Sequence, residues 1–291
     1  MVVNGPMSQE WFDIADDCRS NVTIFDSAYG TAIEPNVFGT ALERDKPDVV
    51  MMVETDTFTG EKIDLETLCP LIRQKRPDAL IVTDISGSVF CEQTASLSDI
   101  CICASEMAMG LPPGLGMTVL NERAHTRVLA HNVTNGRYFN YSRQTVSRSP
   151  SAQDPSLYTL LNALNEQIDL VLTEGMPARQ ERMIAVSNQV RAWADRRGLP
   201  LICAEDCRAV NSTAVDIPSE ILVQEMVEFA GRYGVYLTKG VGLMPKNSLI
   251  IYHGNDVTTE DAAVLFRVLD RFLADYDTRR RQMLRFSRPQ G

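Results

Sequence analysis

An α/β fold built on a mostly parallel sheet is predicted by three features of the sequence: short runs apolar at every position, amphipathic segments of helical period between them, and glycine or proline punctuation at the joins. A strand apolar throughout has both faces covered, as in a parallel sheet sandwiched between helices. Val2-Val3 is a strand stub. Residues 9–20 have helical period, 22–25 read as a strand, and 35–44 as a helix opened by Pro35, whose fixed φ suits a first helical turn. Val49–Val53 is apolar throughout, residues 64–75 are amphipathic, residues 79–83 are apolar again up to Thr83, and Ile100-Cys-Ile-Cys103 follows.

The pattern changes after residues 147–155, where prolines and serines interrupt any period. The predicted organisation is a large α/β domain over residues 1–155 and a linking helix with a small α+β domain over residues 156–291. A long helical stretch at 156–197 is expected to break at Glu174-Gly-Met-Pro177 and to stop at Gly198-Leu-Pro200. Strands are expected at 201–204, 212–217 and 248–252, and helices at 220–233 and 259–276. Thr258-Thr-Glu-Asp261 has the spacing of a capping box at the start of the last helix.

The 291 residues are 44% hydrophobic and 23% charged, which excludes disordered and collagen-like classes. No apolar run reaches the roughly 18 residues of a membrane span. A net charge of -10 is a poor match to a nucleic-acid backbone and leaves small metabolites as ligands. Seven cysteines, an odd number, with no signal sequence at Met1, point to a reducing, cytoplasmic setting without a disulfide framework. Cys101 and Cys103 share one face of a strand-like run, and Cys203 and Cys207 flank a loop. Neither pair has the spacing of a zinc or redox site, so buried packing is expected and no metal.

Several motifs stand in order along the chain. Glu54-Thr-Asp-Thr-Phe-Thr-Gly60 follows one apolar strand, and Ile81-Val-Thr-Asp-Ile-Ser-Gly-Ser88 ends another. Cys103-Ala-Ser-Glu-Met-Ala-Met-Gly-Leu-Pro-Pro-Gly114 follows a third. Pro155-Ser-Leu-Tyr-Thr-Leu-Leu-Asn-Ala-Leu164, Tyr233-Gly-Val-Tyr236 and Gly254-Asn-Asp-Val-Thr258 come later. In order and spacing they resemble the class V aminotransferases, the pyridoxal-phosphate (PLP) group that contains alanine–glyoxylate, serine–pyruvate and 2-aminoethylphosphonate transaminases. The resemblance implies the PLP-transferase fold type I, an amino or keto acid ligand and a PLP site. Asp84 stands at the C-terminal end of a parallel strand, where such sheets place ligand-contacting groups, although a turn or capping aspartate reads the same way. By resemblance Asp84 would pair with the protonated ring nitrogen, Thr57 would lie beside the ring, and Ser105 near the phosphate.

The departures from the family pattern are chemical. Met107 stands where the family has its Schiff-base lysine, and a thioether forms no imine and relays no proton. Glu106 replaces a neutral amide beside the phosphate position, which weakens PLP binding. Leu249 stands where an arginine grips the substrate carboxylate. Met1-Val-Val-Asn-Gly-Pro-Met-Ser-Gln-Glu-Trp11 resembles the middle of the family's large domain, so the chain is expected to be shortened at its start and to need another chain as cover.

Five lysines are available as substitutes: Lys46, Lys62, Lys75, Lys239 and Lys246. Lys239, in a glycine-rich turn, and His253, in Tyr252-His-Gly, are the candidate substrate contacts, while a solvated lysine and a packed histidine are the simpler readings. His125 and His131 are scattered, and Arg279-Arg-Arg281 with Arg285 and Arg288 forms a basic end read as a solvated helix end or interface strip. Together these imply a degenerate subunit of an amino-acid-metabolising homo- or hetero-oligomer, assisting a catalytic aminotransferase-type partner. Any PLP would be non-covalent. A stand-alone binder of an amino or keto acid, or a lysine-free enzyme reusing the pocket, are the alternatives. Residues 9–20 and 156–172 are the expected contact helices.

Overall fold

The computed structural model describes residues 1–18, 20–92, 94–130, 140–141 and 157–286. Along the chain the elements are β1 (Val2–Val3), α1 (Pro6–Asp17), β2 (Phe25–Asp26), α2 (Pro35–Asp45), β3 (Val49–Val53), β4 (Thr55–Asp56), β5 (Glu61–Lys62), α3 (Leu65–Lys75), β6 (Leu80–Asp84) and β7 (Ile100–Ala104). They continue as β8 (Gly116–Leu120), α4 (Glu122–Ala130), α5 (Leu157–Glu174), α6 (Met176–Arg196), β9 (Ser212–Asp216), α7 (Val223–Gly231), β10 (Thr238–Lys239), β11 (Ser248–Tyr252) and α8 (Thr259–Phe286).

The larger sheet has the order β3-β6-β7-β8. Its first three strands are parallel, as their continuous apolar character predicts, and β8 is an antiparallel edge that the sequence reading did not foresee. Val53, Asp84 and Ile102 lie side by side in the register, and so do Met52, Thr83 and Cys101. Side chains alternate along a strand, so these two rows occupy opposite faces. On the second face α2 and α3 bring Phe38, Leu42, Leu68 and Ile72 against Val50, Met52 and Ile81. Each such apolar side chain, fully buried, contributes about 1.5–3 kcal/mol. Cys101 and Cys103 are both buried, as their spacing predicts. The other face, with Asp84, meets α1.

The smaller sheet, β10-β11-β9, is antiparallel throughout. Its alternation separates two packing layers. Val215, Leu249 and Ile251 join a core with Val190 and Trp193 of α6, Met226 of α7, and Leu269 and Phe272 of α8. Ala214 and Ile250 instead pack with Tyr29, Phe58 and Met244, and so join this sheet to the β4–β5 hairpin of the first half. The Trp193 indole N–H donates to Asp270 Oδ1 at 2.8 Å, giving the one polar atom of that ring a partner.

Several boundaries differ from expectation. The helix expected at 9–20 runs from Pro6 to Asp17, because Pro6 opens it after an extended Gly5 and the Asn4 and Gly5 N–H groups donate to Ser8 Oγ. The strand at 22–25 reduces to Phe25–Asp26 beside β1. Residues 201–204 are not a strand: one bridge joins Leu201 to Val215, and the chain then turns over Glu205–Cys207. The long helical stretch does break at Gly175, with φ of 79°. The capping box is present, since Thr258 N donates to Asp261 Oδ2 at 2.9 Å and Asp261 N to Thr258 Oγ1 at 3.2 Å. Residues 147–155, where the domain change is expected, lie outside the described residues, as do His131 and Arg288 and the side chains of Arg279, Arg280, Arg281 and Arg285. Among the described residues no helix is long and apolar enough to cross a membrane, and no group of three or more His, Cys, Asp or Glu is placed to hold a metal ion.

Candidate functional site

Parallel strands end on one side of a sheet, so the loops after β3, β6 and β7 converge there. The first continues into the β4–β5 hairpin, which presents Thr57 at its turn. The second follows Asp84 directly, with Ile85 N donating to Ile102 O at 2.8 Å and Ser86 N to Asp84 Oδ1 at 2.8 Å. The third is the 105–115 loop. Ser105 closes it: its hydroxyl donates to Pro112 O at 2.8 Å and accepts from Leu115 N at 3.2 Å. Ser105 is fully buried, and this hydroxyl ties the base of the loop together.

Met107 begins a single 3₁₀ turn, Met107–Met109, in a left-handed conformation with φ of 61°. A residue with a Cβ adopts that conformation only when its surroundings over-determine it. Two contacts do so: Asn255 Nδ2 donates to Met107 O at 2.8 Å, and Ala108 N donates to Ser86 O at 3.2 Å. The Met107 sulfur lies 3.7 Å from Thr57 Oγ1, and the Met7 sulfur lies 3.7 Å from the same hydroxyl.

Helix α1 supplies both covers of this region. Met7 and Trp11 are one helical turn apart and so share a face. Met7 reaches Thr57, while the Trp11 indole N–H donates to Asp84 Oδ2 at 2.7 Å. The start of α1 is anchored from below by Asp56, which accepts from Met7 N at 2.8 Å and from Phe58 N and Thr59 N at 3.0 Å each. Residue 5 must be glycine, because a Cβ there would stand 2.3 Å from Asp56 Oδ2.

The floor of the region is acidic and buried. Glu54 accepts from the Ser88 and Thr94 hydroxyls, and Glu61 accepts from Asn4 Nδ2 at 2.8 Å and Gly30 N at 2.9 Å. Burial pushes the Glu54 and Asp56 carboxyls above the usual carboxylate range and lifts Glu61 to about 7. The sequence reading missed these acids. Their signal was available, since all three fall within one motif and its edge, Glu54 to Glu61, between an apolar strand and the α3 helix.

Of the expected site residues, Thr57 and Met107 are in contact, and Asp84 joins them through Ser86 and through α1. Lys239 is not with them. It is exposed on β10, opposite Leu249. His253 is a packed histidine: its Nε2 lies 2.9 Å from Thr213 Oγ1, and burial beside Arg191 lowers its pKa to about 3, so the ring is neutral. Leu249 stands where the family has its carboxylate-gripping arginine, and the β11 alternation aims it into the small-sheet core beneath α6, α7 and α8, so an apolar residue there is what packing demands.

These residues do not fit PLP held as an imine, because no amine stands at position 107. The Asp84 oxygens accept one hydrogen bond from Trp11 and one from the backbone of Ser86.

No family model matches the chain. It is 25% identical over 227 residues to an uncharacterized aminotransferase of Methanocaldococcus jannaschii, covering 76% of this chain and 58% of that protein. It is 24% identical over 290 residues to an L-aspartate–glyoxylate aminotransferase of Paracoccus denitrificans, covering 94% and 71%. The chain thus spans less than two thirds of the length of the first of these relatives. The crystal structure of ureidoglycine–glyoxylate aminotransferase from Bacillus subtilis superposes with a TM-score of 0.86 at 23% identity, over 95% of this chain and 73% of that one. The parallel sheet, the ordered motifs and these likenesses agree: the chain has the fold of the PLP-dependent aminotransferases, and its sequence relatives include aminotransferases.

Proposed function

We propose that this chain is a class V aminotransferase-like protein of amino-acid metabolism that does not itself form an imine, and that it serves as a degenerate subunit beside a catalytic aminotransferase-type chain. The observation that carries this reading is Met107, seated by Asn255 and Ser86 at the loop over Thr57, with no lysine near it. Each lysine is engaged or placed elsewhere. Lys46 caps α2, Lys62 pairs with Glu92 at 2.9 Å, Lys75 pairs with Glu43 at 2.5 Å, Lys239 is exposed on β10, and Lys246 precedes β11. Helix α5 supports the assembly part of the reading, since Tyr158, Ile168, Leu170 and Leu172 stand at its exposed surface and Leu172 is 72% exposed. Ile14 of α1 is exposed as well. The ligand class is a small amino or keto acid. Any PLP on this chain is held without a covalent bond.

The test is spectroscopic and chemical. Mixed with PLP, the purified chain is expected to show no internal-imine absorption band, and borohydride reduction followed by peptide mass spectrometry is expected to find no pyridoxyl group on any of the five lysines. A reduced adduct at Lys239 or elsewhere would defeat the reading.

A second expectation concerns repair. Met107→Lys alone should give no measurable transamination of alanine with glyoxylate, because the new amine would meet the Met7 thioether and Thr57 while Trp11 still holds Asp84. Steady turnover by that variant would show that the missing amine is the only defect.

A further inference from the structure

The reading above makes no use of Cys203 and Cys207. Their sulfurs lie 3.4 Å apart, and the two residues are 4% and 6% exposed. The backbone between them is a tight turn: Cys207 N donates to Ala204 O at 3.3 Å, and Arg208 Nε donates to Cys203 O at 3.0 Å. The turn is pinned to the first half of the chain, where Ala204 N donates to Gly30 O at 2.8 Å and Ala209 N to Gly60 O at 2.8 Å. A disulfide needs sulfurs about 2.05 Å apart, so side-chain rotation and a small relaxation of this turn would close the gap.

We propose that Cys203 and Cys207 are a redox modification site, converted by a peroxide into an intramolecular disulfide that locks the 203–208 turn between Gly30, Gly60 and the small sheet. The chemistry balances in two steps. One thiolate sulfur attacks the peroxide O–O bond, forming S–OH, and the departing hydroxide takes up a proton as water. The second thiol then displaces the S–OH oxygen, forming S–S and a second water. Two sulfurs are oxidised and two peroxide oxygens are reduced. Proximity favours the second step, since the partner sulfur is already in contact.

The first step is slow by design of the site. The Cys207 contact, burial and nearby Glu61 all push the Cys203 thiol upward, and only a thiolate attacks. Once formed, the bond is shielded from bulky reductants by the same burial. Among the described residues no other two thiols share a hydrogen-bonding contact: Cys91, for example, lies 3.4 Å from Asn211 Nδ2.

The experiment uses the full chain. Hydrogen peroxide treatment, alkylation and digestion are expected to link the peptides of Cys203 and Cys207, to lower the free thiol count from seven to five, and to raise Tm by several degrees, all reversed by dithiothreitol. Cys203→Ser should abolish both the link and the Tm shift. Cys207→Ser serves the same purpose if that variant fails to fold. Both thiols of the folded, peroxide-treated wild type remaining alkylable, or a link joining other cysteines first, would overturn the proposal.

Discussion

Leu249→Arg is expected to unfold the small sheet and its helices, with a loss of at least about 4 kcal/mol of stability. Leu249 is 0% exposed, paired with Val215 on one side and Lys239 on the other, and packed beneath three helices. A guanidinium there would be buried among the apolar side chains of this core. Leu249→Met keeps the volume and should cost less than about 1.5 kcal/mol, whereas Leu249→Ala leaves a cavity and should cost about 2–5 kcal/mol. Urea unfolding followed by circular dichroism separates the three. A Leu249→Arg chain that folds with a near wild-type midpoint would mean that the side chain escapes to the cleft, and that a carboxylate clamp could be rebuilt at this position after all.

Stability is expected to fall as pH rises from 5 to 8, and Glu61 is the main reason. Its carboxyl, 1% exposed, is lifted by burial from 4.5 to about 7, against the opposing effect of hydrogen bonds from Asn4 and Gly30. The unfolded chain releases this proton near pH 4.5 while the folded chain keeps it to about 7. Between those values the folded state binds more protons, so the contribution is full below 4.5 and is lost as pH passes 7. A shift of this size corresponds to about 3 kcal/mol. Glu54 and Asp56 are raised by burial as well and act in the same direction. Glu61→Gln should flatten the profile of urea midpoints between pH 5 and 8, with a constant offset of about 1 kcal/mol from the imperfect amide match. A wild-type midpoint independent of pH over this range would show that Asn4 and Gly30 keep Glu61 ionised.

The two Trp11 and Asp84 groups illustrate how far a sequence carries the site. Asp84 could be placed from the sequence because an acid ending an apolar run marks a strand's C-terminal edge, whereas Thr57 and Met107 were singled out only by their resemblance to the family's motifs. Their contact at 3.7 Å was given only by the folded chain. Trp11 entered only as the end of the Met1–Trp11 segment that resembles the family, and nothing in 73 residues of separation indicates that its N–H meets Asp84. Ser105 was singled out by resemblance, and its bonds to Pro112 and Leu115 were not legible in the sequence.

What the sequence determined by itself is local and periodic: the parallel strands β3, β6 and β7, the amphipathic helices α2 and α3, the break at Gly175, and the Thr258–Asp261 cap. These follow from 3.6- and 2-residue periods and from backbone preferences that act over a few residues. The hairpin at Thr55–Lys62, the antiparallel edge β8, the core position of Leu249 and the thiol contact of Cys203 with Cys207 were decided only by tertiary structure. Alternation states which residues share a face, but which layer covers each face depends on chain closure over many residues. A buried leucine, an occupied carboxylate and two touching sulfurs are consequences of that closure.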